Sequence, residues 1–216
     1  MALSYRSEFI ELCVRQGALR FGSFTLKSGR ESPYFFNAAL FNTGTAIRAL
    51  GRAYAAAVLA SGLEFDMLFG PAYKGIPLAT IAAAALSENG GRDLPFAFNR
   101  KEAKDHGEGG SIVGSPLRGR VLIVDDVITA GTAIRESIDI IKAAGAAPSG
   151  VLLALDRQER SPQSRLSAVQ EVRAQYGIPV IAVLTLADLM HHVSAQGREG
   201  DLLAMQAYRE RHGLAD

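Results

Sequence analysis

Short apolar runs recur along this chain at the spacing of a layered α/β fold: FDMLFG at 65–70, VLIV at 121–124, VLLALD at 151–156 and IPVIAVL at 178–184. Runs this short, next to turn formers and acids, read as strands buried on both faces. The segments between them carry helical spacing, over about 45–61, 75–88, 131–144 and near 164–176. With a further strand at 94–99 and strand limits of 120–125 and 150–156, the order becomes strand, helix, strand through most of the chain. That order predicts a mostly parallel central sheet flanked by helices.

The ends of the chain read differently. A helix is expected over about 4–17, with Ser4 as its N-cap. Two short aromatic-rich strands in FGSFTLKSGRESPYFFNAA (21–39) surround a turn former, which predicts a hairpin. A polar loop is expected at 100–115, and a polar C-terminal helix closes the chain. At 216 residues one main core is expected, hence a single domain spanning 1–216.

Charge and composition narrow the partners. The 23 basic and 22 acidic residues leave a formal net charge of +1, so no global field draws nucleic acid and any anion must be held locally. No stretch approaches the roughly 18–20 apolar residues of a membrane span. MALSYRSEF lacks a signal peptide's apolar core, so the expected address is cytoplasmic, with no membrane partner. The single cysteine, Cys13, excludes an internal disulfide and sits among Phe9, Ile10, Leu12 and Val14, as a packed helical thiol would.

In parallel sheets ligands bind beyond the carboxyl ends of the strands. Three segments fall there: GPAYKG after Phe69, RKEAKDHGEGG after Phe98 and DDVITAGTA after the strand VLIV. In the last, Thr129, Ala130, Gly131, Thr132 and Ala133 lead directly into a helix. Backbone amides and threonine hydroxyls at such a helix N-terminus converge on one anion, and Gly131 permits close approach and a positive φ. Neither the G-x-x-x-x-G-K-[ST] nor the G-x-G-x-x-G pattern is present, which excludes the usual ATPase and dinucleotide loops. Asp125 and Asp126 precede the cradle by about the length of a ribose, where they can receive sugar hydroxyls or a hydrated metal ion. Adjacent carboxylates at the end of a buried strand disfavour each other's ionisation, so a helix-opening role alone explains them poorly. A phosphate site beside diol-binding acids describes a phosphorylated ribose.

The run VLIVDDVITAGTA resembles the 5-phosphoribosyl 1-diphosphate (PRPP) signature of the type I phosphoribosyltransferases. Within that family the chain is similar, over nearly its whole length, to the bacterial orotate phosphoribosyltransferases. LKSGRESPYFFN (26–37) resembles their orotate-binding segment, FGPAYKGIP (69–77) their pyrophosphate loop and RKEAKDHGEGG (100–110) their mobile catalytic loop. The resemblance implies the type I phosphoribosyltransferase fold, with a small N-terminal hood over about 1–40 and a mobile catalytic loop at 100–115. It implies transfer of the phosphoribosyl group from PRPP to a ring nitrogen of orotate, giving orotidine 5'-monophosphate and diphosphate. PRPP contacts are implied at Lys27, Tyr73, Lys74, Arg100, Lys101, Lys104, His106, Asp125, Asp126, Val127, Ile128 and the cradle 129–133. Orotate contacts are implied at Lys27, Phe35, Phe36, Thr129 and Arg157, and catalytic roles at Lys104, His106, Asp125 and Asp126. Magnesium is expected to travel with PRPP rather than in a protein cage. A homodimer with shared sites is also implied.

Residue chemistry supports these expectations unevenly. A planar pyrimidine carboxylate suits an aromatic or backbone edge and a forked cation, which Phe35, Phe36 and Arg157 supply. Read alone, PYFFN is a core strand and Arg157 a surface arginine. In the loop, basic residues answer pyrophosphate charge and glycines permit movement; a solvated charged loop is the plainer alternative. MHH at 190–192 lacks the spacing of a metal pair, and RQERSPQSR at 157–165 reads as a polar connection. Two rivals stay open: a purine phosphoribosyltransferase sharing the cradle, and a PRPP-sensing regulator without catalysis.

Overall fold

The computed structural model describes residues 5–26, 29–104, 110–128, 131–161 and 164–214. Ser4 therefore lies outside the described residues. The chain begins with α1 (Tyr5–Arg15) and the hairpin β1 (Leu19–Thr25) and β2 (Glu31–Phe36). The body follows as α2 (Gly44–Ser61), β3 (Met67–Gly70), α3 (Gly75–Gly90), β4 (Phe96–Lys104), β5 (Gly110–Gly114), β6 (Arg120–Asp125), α4 (Thr132–Ala143), β7 (Ala147–Asp156), α5 (Ala168–Tyr176) and β8 (Val180–Thr185). Two helices, α6 (Leu186–Ala195) and α7 (Glu199–His212), end it.

The central sheet runs β5-β4-β3-β6-β7-β8, parallel throughout except for the antiparallel edge strand β5. Its side chains alternate between two cores, as the two-residue period of a strand requires. Met67, Phe69, Val121, Ile123, Val151 and Leu153 join Ile134, Ile138 and Val172 of α4 and α5 on one face. Leu68, Leu122, Val124, Leu152 and Ala154 join α1, α2, α3 and α6 on the other. This double burial is why the strands read as continuous apolar runs. Cys13 is fully buried there, and burial pushes its thiol up.

The expected parallel sheet, flanking helices and hairpin are present, with three corrections. The polar loop 100–115 is largely strand: β4 continues to Lys104, and β5 pairs back at Ala97–Gly114, Phe98–Val113, Asn99–Ile112 and, after a register shift, Lys104–Gly110. Lys101 and Glu102 are exposed, so this arm carries no apolar alternation to betray it. The C-terminal helix is two, broken at Gly197, whose φ of +66° ends the first. α5 starts only at Ala168, where Ser167 and Gln170 form a capping box. The hood likewise draws on both chain ends, since Tyr34 of β2 meets Tyr208 of α7 edge-on at 6.4 Å.

Candidate active site

Parallel strands β3, β4, β6 and β7 bring Gly70, Phe98, Asp125 and Asp156 to one edge of the sheet. Asp125 ends β6, and its Oδ1 accepts the Asp126 N–H at 2.9 Å. Asp126 Oδ1 accepts the Val127 N–H at 2.9 Å, while Oδ2 receives Lys74 Nζ at 2.6 Å. The main chain is fixed as firmly: the Tyr54 hydroxyl donates to the Asp125 carbonyl, and the Asp126 carbonyl accepts from Ala154 N–H of β7. Only 8% of Asp125 and 5% of Asp126 is exposed. Burial, reinforced by the Asp126 charge, pushes the Asp125 carboxyl up to about 7.

Beyond the acids, Val127 packs into one core and Ile128 into the other, anchoring the loop at the sheet edge. Thr129 and Ala130 lie outside the described residues. Gly131 adopts φ +71° and caps α4 with no side-chain bond, so the amides of Thr132 and Ala133 open the helix without a side-chain cap. Arg135 was missed by sequence reasoning. Its Nη2 lies 3.4 Å from Thr132 Oγ1, and a methyl group at Gly131 would meet its Nη1 at 3.1 Å. An arginine in a first turn that lacks acids opposes the helix dipole, which is the signal that could have found it.

Against the end of β6 and Asp126 lies the loop from Gly70 to Gly75. A methyl group at Gly70 would fall on the Gly75 carbonyl, and one at Gly75 would meet the Val124 carbonyl at 2.8 Å, so only glycines allow this close approach. The Ala72–Tyr73 peptide is cis. The loop presents Tyr73, 68% exposed, and Lys74, while Lys101 of β4 places Nζ 5.3 Å from the Tyr73 ring centre. Arg100 is half-buried at the base of the same arm. Lys27 and His106 lie outside the described residues, as does the side chain of Lys104.

Arg157 follows β7. Its Nε donates to Glu159 Oε1 at 2.7 Å and its Nη2 to Ser32 Oγ at 3.1 Å, while the guanidinium sits 4.5 Å from the Tyr34 ring centre. Glu159 also takes Arg30 from the hairpin. The segment read as a polar connection is thus corrected to the strut between sheet and hood: Glu159 pairs with Gly213, and Arg160 with Ser167, in isolated bridges. Phe35 lies 5.7 Å from Phe24 beneath Arg20, whereas Phe36 packs against the core. Neighbours on a strand face opposite ways, so this pair offers a planar ligand at most one ring.

The arrangement gathers a cationic loop, paired acids and a helix N-terminus, with an arginine and aromatic residues on the hood side. A profile of the phosphoribosyl transferase domain family matches residues 39–177. Orotate phosphoribosyltransferases from Thioalkalivibrio sulfidiphilus and Marinobacter nauticus are 64% and 59% identical, over 98% and 97% of this chain and 99% of each relative. The crystal structure of orotate phosphoribosyltransferase from Francisella tularensis superposes with a TM-score of 0.88 at 42% identity, covering 95% of this chain and 99% of that one.

Proposed function

The chain belongs to the phosphoribosyltransferase family and, within it, to the orotate phosphoribosyltransferases, and on that premise we propose how its residues divide the reaction. The enzyme transfers the 5-phosphoribosyl group from PRPP to orotate in pyrimidine biosynthesis, giving orotidine 5'-monophosphate and diphosphate. The bond from the anomeric carbon to pyrophosphate breaks as a ring nitrogen of orotate bonds to that carbon.

In our reading the α4 N-terminus, from Val127 through Ala133, holds the 5-phosphate. Asp125 and Asp126 take the ribose hydroxyls. Tyr73, Lys74, Arg100 and Lys101 hold the pyrophosphate, with Lys27 beside them, and Lys104 and His106 answer the charge that grows on it as it leaves. His106 also donates a proton to the departing group. Phe35 and Phe36, one through its ring and the other through its main chain, hold orotate together with Thr129, Lys27 and Arg157. The observation that carries this division is the buried acid pair flanked by Lys74 on one side and the open helix terminus on the other.

Magnesium is commonly held by one or two carboxylates together with substrate phosphates, and the hard oxygens of Asp125 and Asp126 fit that pattern. Asp125, whose carboxyl burial has pushed up to about 7, gains as a carboxylate from a nearby cation. When bound with PRPP, Mg2+ would spread the negative charge of the leaving group.

We further read residues 1–216 as one domain, with 1–40 in the hood and 100–115 closing over the site. β4 pairs with β3 only as far as Phe98, so the arm leaves the sheet body beyond it. In a homodimer, Lys104 and His106 of the partner subunit would close over each site. No helix among the described residues is long and apolar enough to cross a membrane. We place the protein in the cytoplasm with its charged substrates.

The test is turnover. With PRPP and magnesium, orotate should be consumed with stoichiometric diphosphate release, while adenine, hypoxanthine, guanine and uracil remain untouched. Consumption of a purine in place of orotate would refute the base assignment, and PRPP binding without turnover would mark a sensor.

A further inference from the structure

Two strand pairings end beside Asn99. The parallel ladder between β3 and β4 ends one residue earlier, at Gly70–Phe98. The regular antiparallel ladder between β4 and β5 ends at Asn99–Ile112, before its register shifts. Between them the chain leaves β3 through Pro71, which has no N–H to donate, so Ala72 carries the first amide available after the strand.

That amide is taken by a side chain. Ala72 N–H donates to Asn99 Oδ1 at 2.9 Å, and Asn99 Nδ2 in turn donates to the Arg100 carbonyl at 3.3 Å. A carboxamide has the shape and bonding capacity of a peptide group, so Asn99 adds one rung to the ladder where the two main chains diverge. The rest of the loop closes on itself, with Gly75 N–H on the Pro71 carbonyl and Ile76 N–H on the Tyr73 carbonyl. Among the described residues, Asn99 thus ties the arm's base to the loop's main chain at Ala72, one residue before the exposed Tyr73 and two before Lys74.

We propose that Asn99 is a positioning residue for pyrophosphate: it fixes the Ala72 amide, and through it the directions in which Tyr73 and Lys74 meet the leaving group. This rests on the reading of loop 70–75 as the pyrophosphate site. Asn99 itself touches no substrate. Aspartate could accept the same N–H, but it would set a negative charge beside an anionic ligand and lose the donor to Arg100.

The experiment compares two probes that divide PRPP between them, inorganic pyrophosphate and ribose 5-phosphate, on the full-length protein with magnesium. Asn99→Ala should weaken pyrophosphate binding at least tenfold and raise KM for PRPP similarly, with ribose 5-phosphate affinity and KM for orotate within twofold. Equal weakening of both probes, or of neither, overturns the proposal. Amide exchange of wild-type Ala72 needs no variant: slow exchange without ligand is expected, and exchange at the unprotected rate overturns the tie even if Asn99→Ala fails to fold. Wild-type protein that does not bind pyrophosphate would instead refute the loop reading, a result separate from any effect of Asn99.

Discussion

Lys74, on a loop, and Asp126, at a strand end 52 residues away, meet at 2.6 Å with side-chain exposures of 60% and 7%. An exposed cation thus neutralises a buried acid. The same contact ties the loop 70–75 to the acids at the end of β6.

Removing that cation has two expected effects. Lys74→Ala leaves the Asp126 carboxylate buried without its partner; because the lysine is mostly solvated, the stability loss is about 1 kcal/mol. Thermal melting should register a drop of a few degrees. KM for PRPP should rise more than tenfold with KM for orotate little changed, and an unchanged KM for PRPP would show the pair to be structural only.

Asp125 makes stability depend on pH. Its carboxyl, raised from 3.8 to about 7, holds its proton in the folded state at pH values where the unfolded chain has lost it. The stabilisation is full below about 4 and is lost as pH rises through about 7. Asp125→Asn, a permanently neutral mimic, should therefore exceed the wild type by a few kcal/mol at pH 8. The gap should close towards pH 4 in urea titrations of the ligand-free proteins. A gap that does not vary with pH would place the titration elsewhere.

Arg157 pairs with Glu159 and is proposed to hold orotate, and its replacement should show both roles. Arg157→Ala leaves Glu159, only 13% exposed, with Arg30 as its remaining ion-pair partner among the described residues, a loss of roughly 3 kcal/mol. Orotate KM should rise at least tenfold while PRPP KM stays within twofold. Glu159→Gln keeps an acceptor but frees the guanidinium, so steady-state kinetics should show a smaller rise in the same constant. Equal effects on both substrates would move Arg157 to the phosphate side.

Sharing of sites is testable by mixing. Lys104→Ala and Asp125→Asn/Asp126→Asn proteins should each be nearly inactive. After random reassembly about half the dimers are mixed, and one site in each mixed dimer is intact, so about a quarter of all sites recover. Demonstrated exchange without recovery would confine the arm to its own chain.

Much of this was legible in one dimension because its physics is local. Apolar runs buried on both faces declare parallel strands, and the acids, glycine and threonines of DDVITAGT are contiguous in the sequence. The segment GPAYKG was placed the same way, directly after a strand, whereas Tyr73 and Lys74 within it came from the family resemblance. The arm was not legible: Lys101 and Glu102 are exposed, so no apolar alternation marks it as a strand. RQERSPQSR read as a polar connection because the Arg30 that meets Glu159 lies 129 residues away.

Local sequence marked the buried strands and most of the helices, and the loop where an anion and a diol were expected. Tertiary structure decided which of those segments touch: Ala72 with Asn99, Lys74 with Asp126, and Ser32 with Arg157 across 125 residues. The reason lies in the sheet order β5-β4-β3-β6-β7-β8, where spatial neighbours β3 and β6 are not neighbours in the chain. Such contacts depend on how whole strands pack, and no short window of residues encodes them.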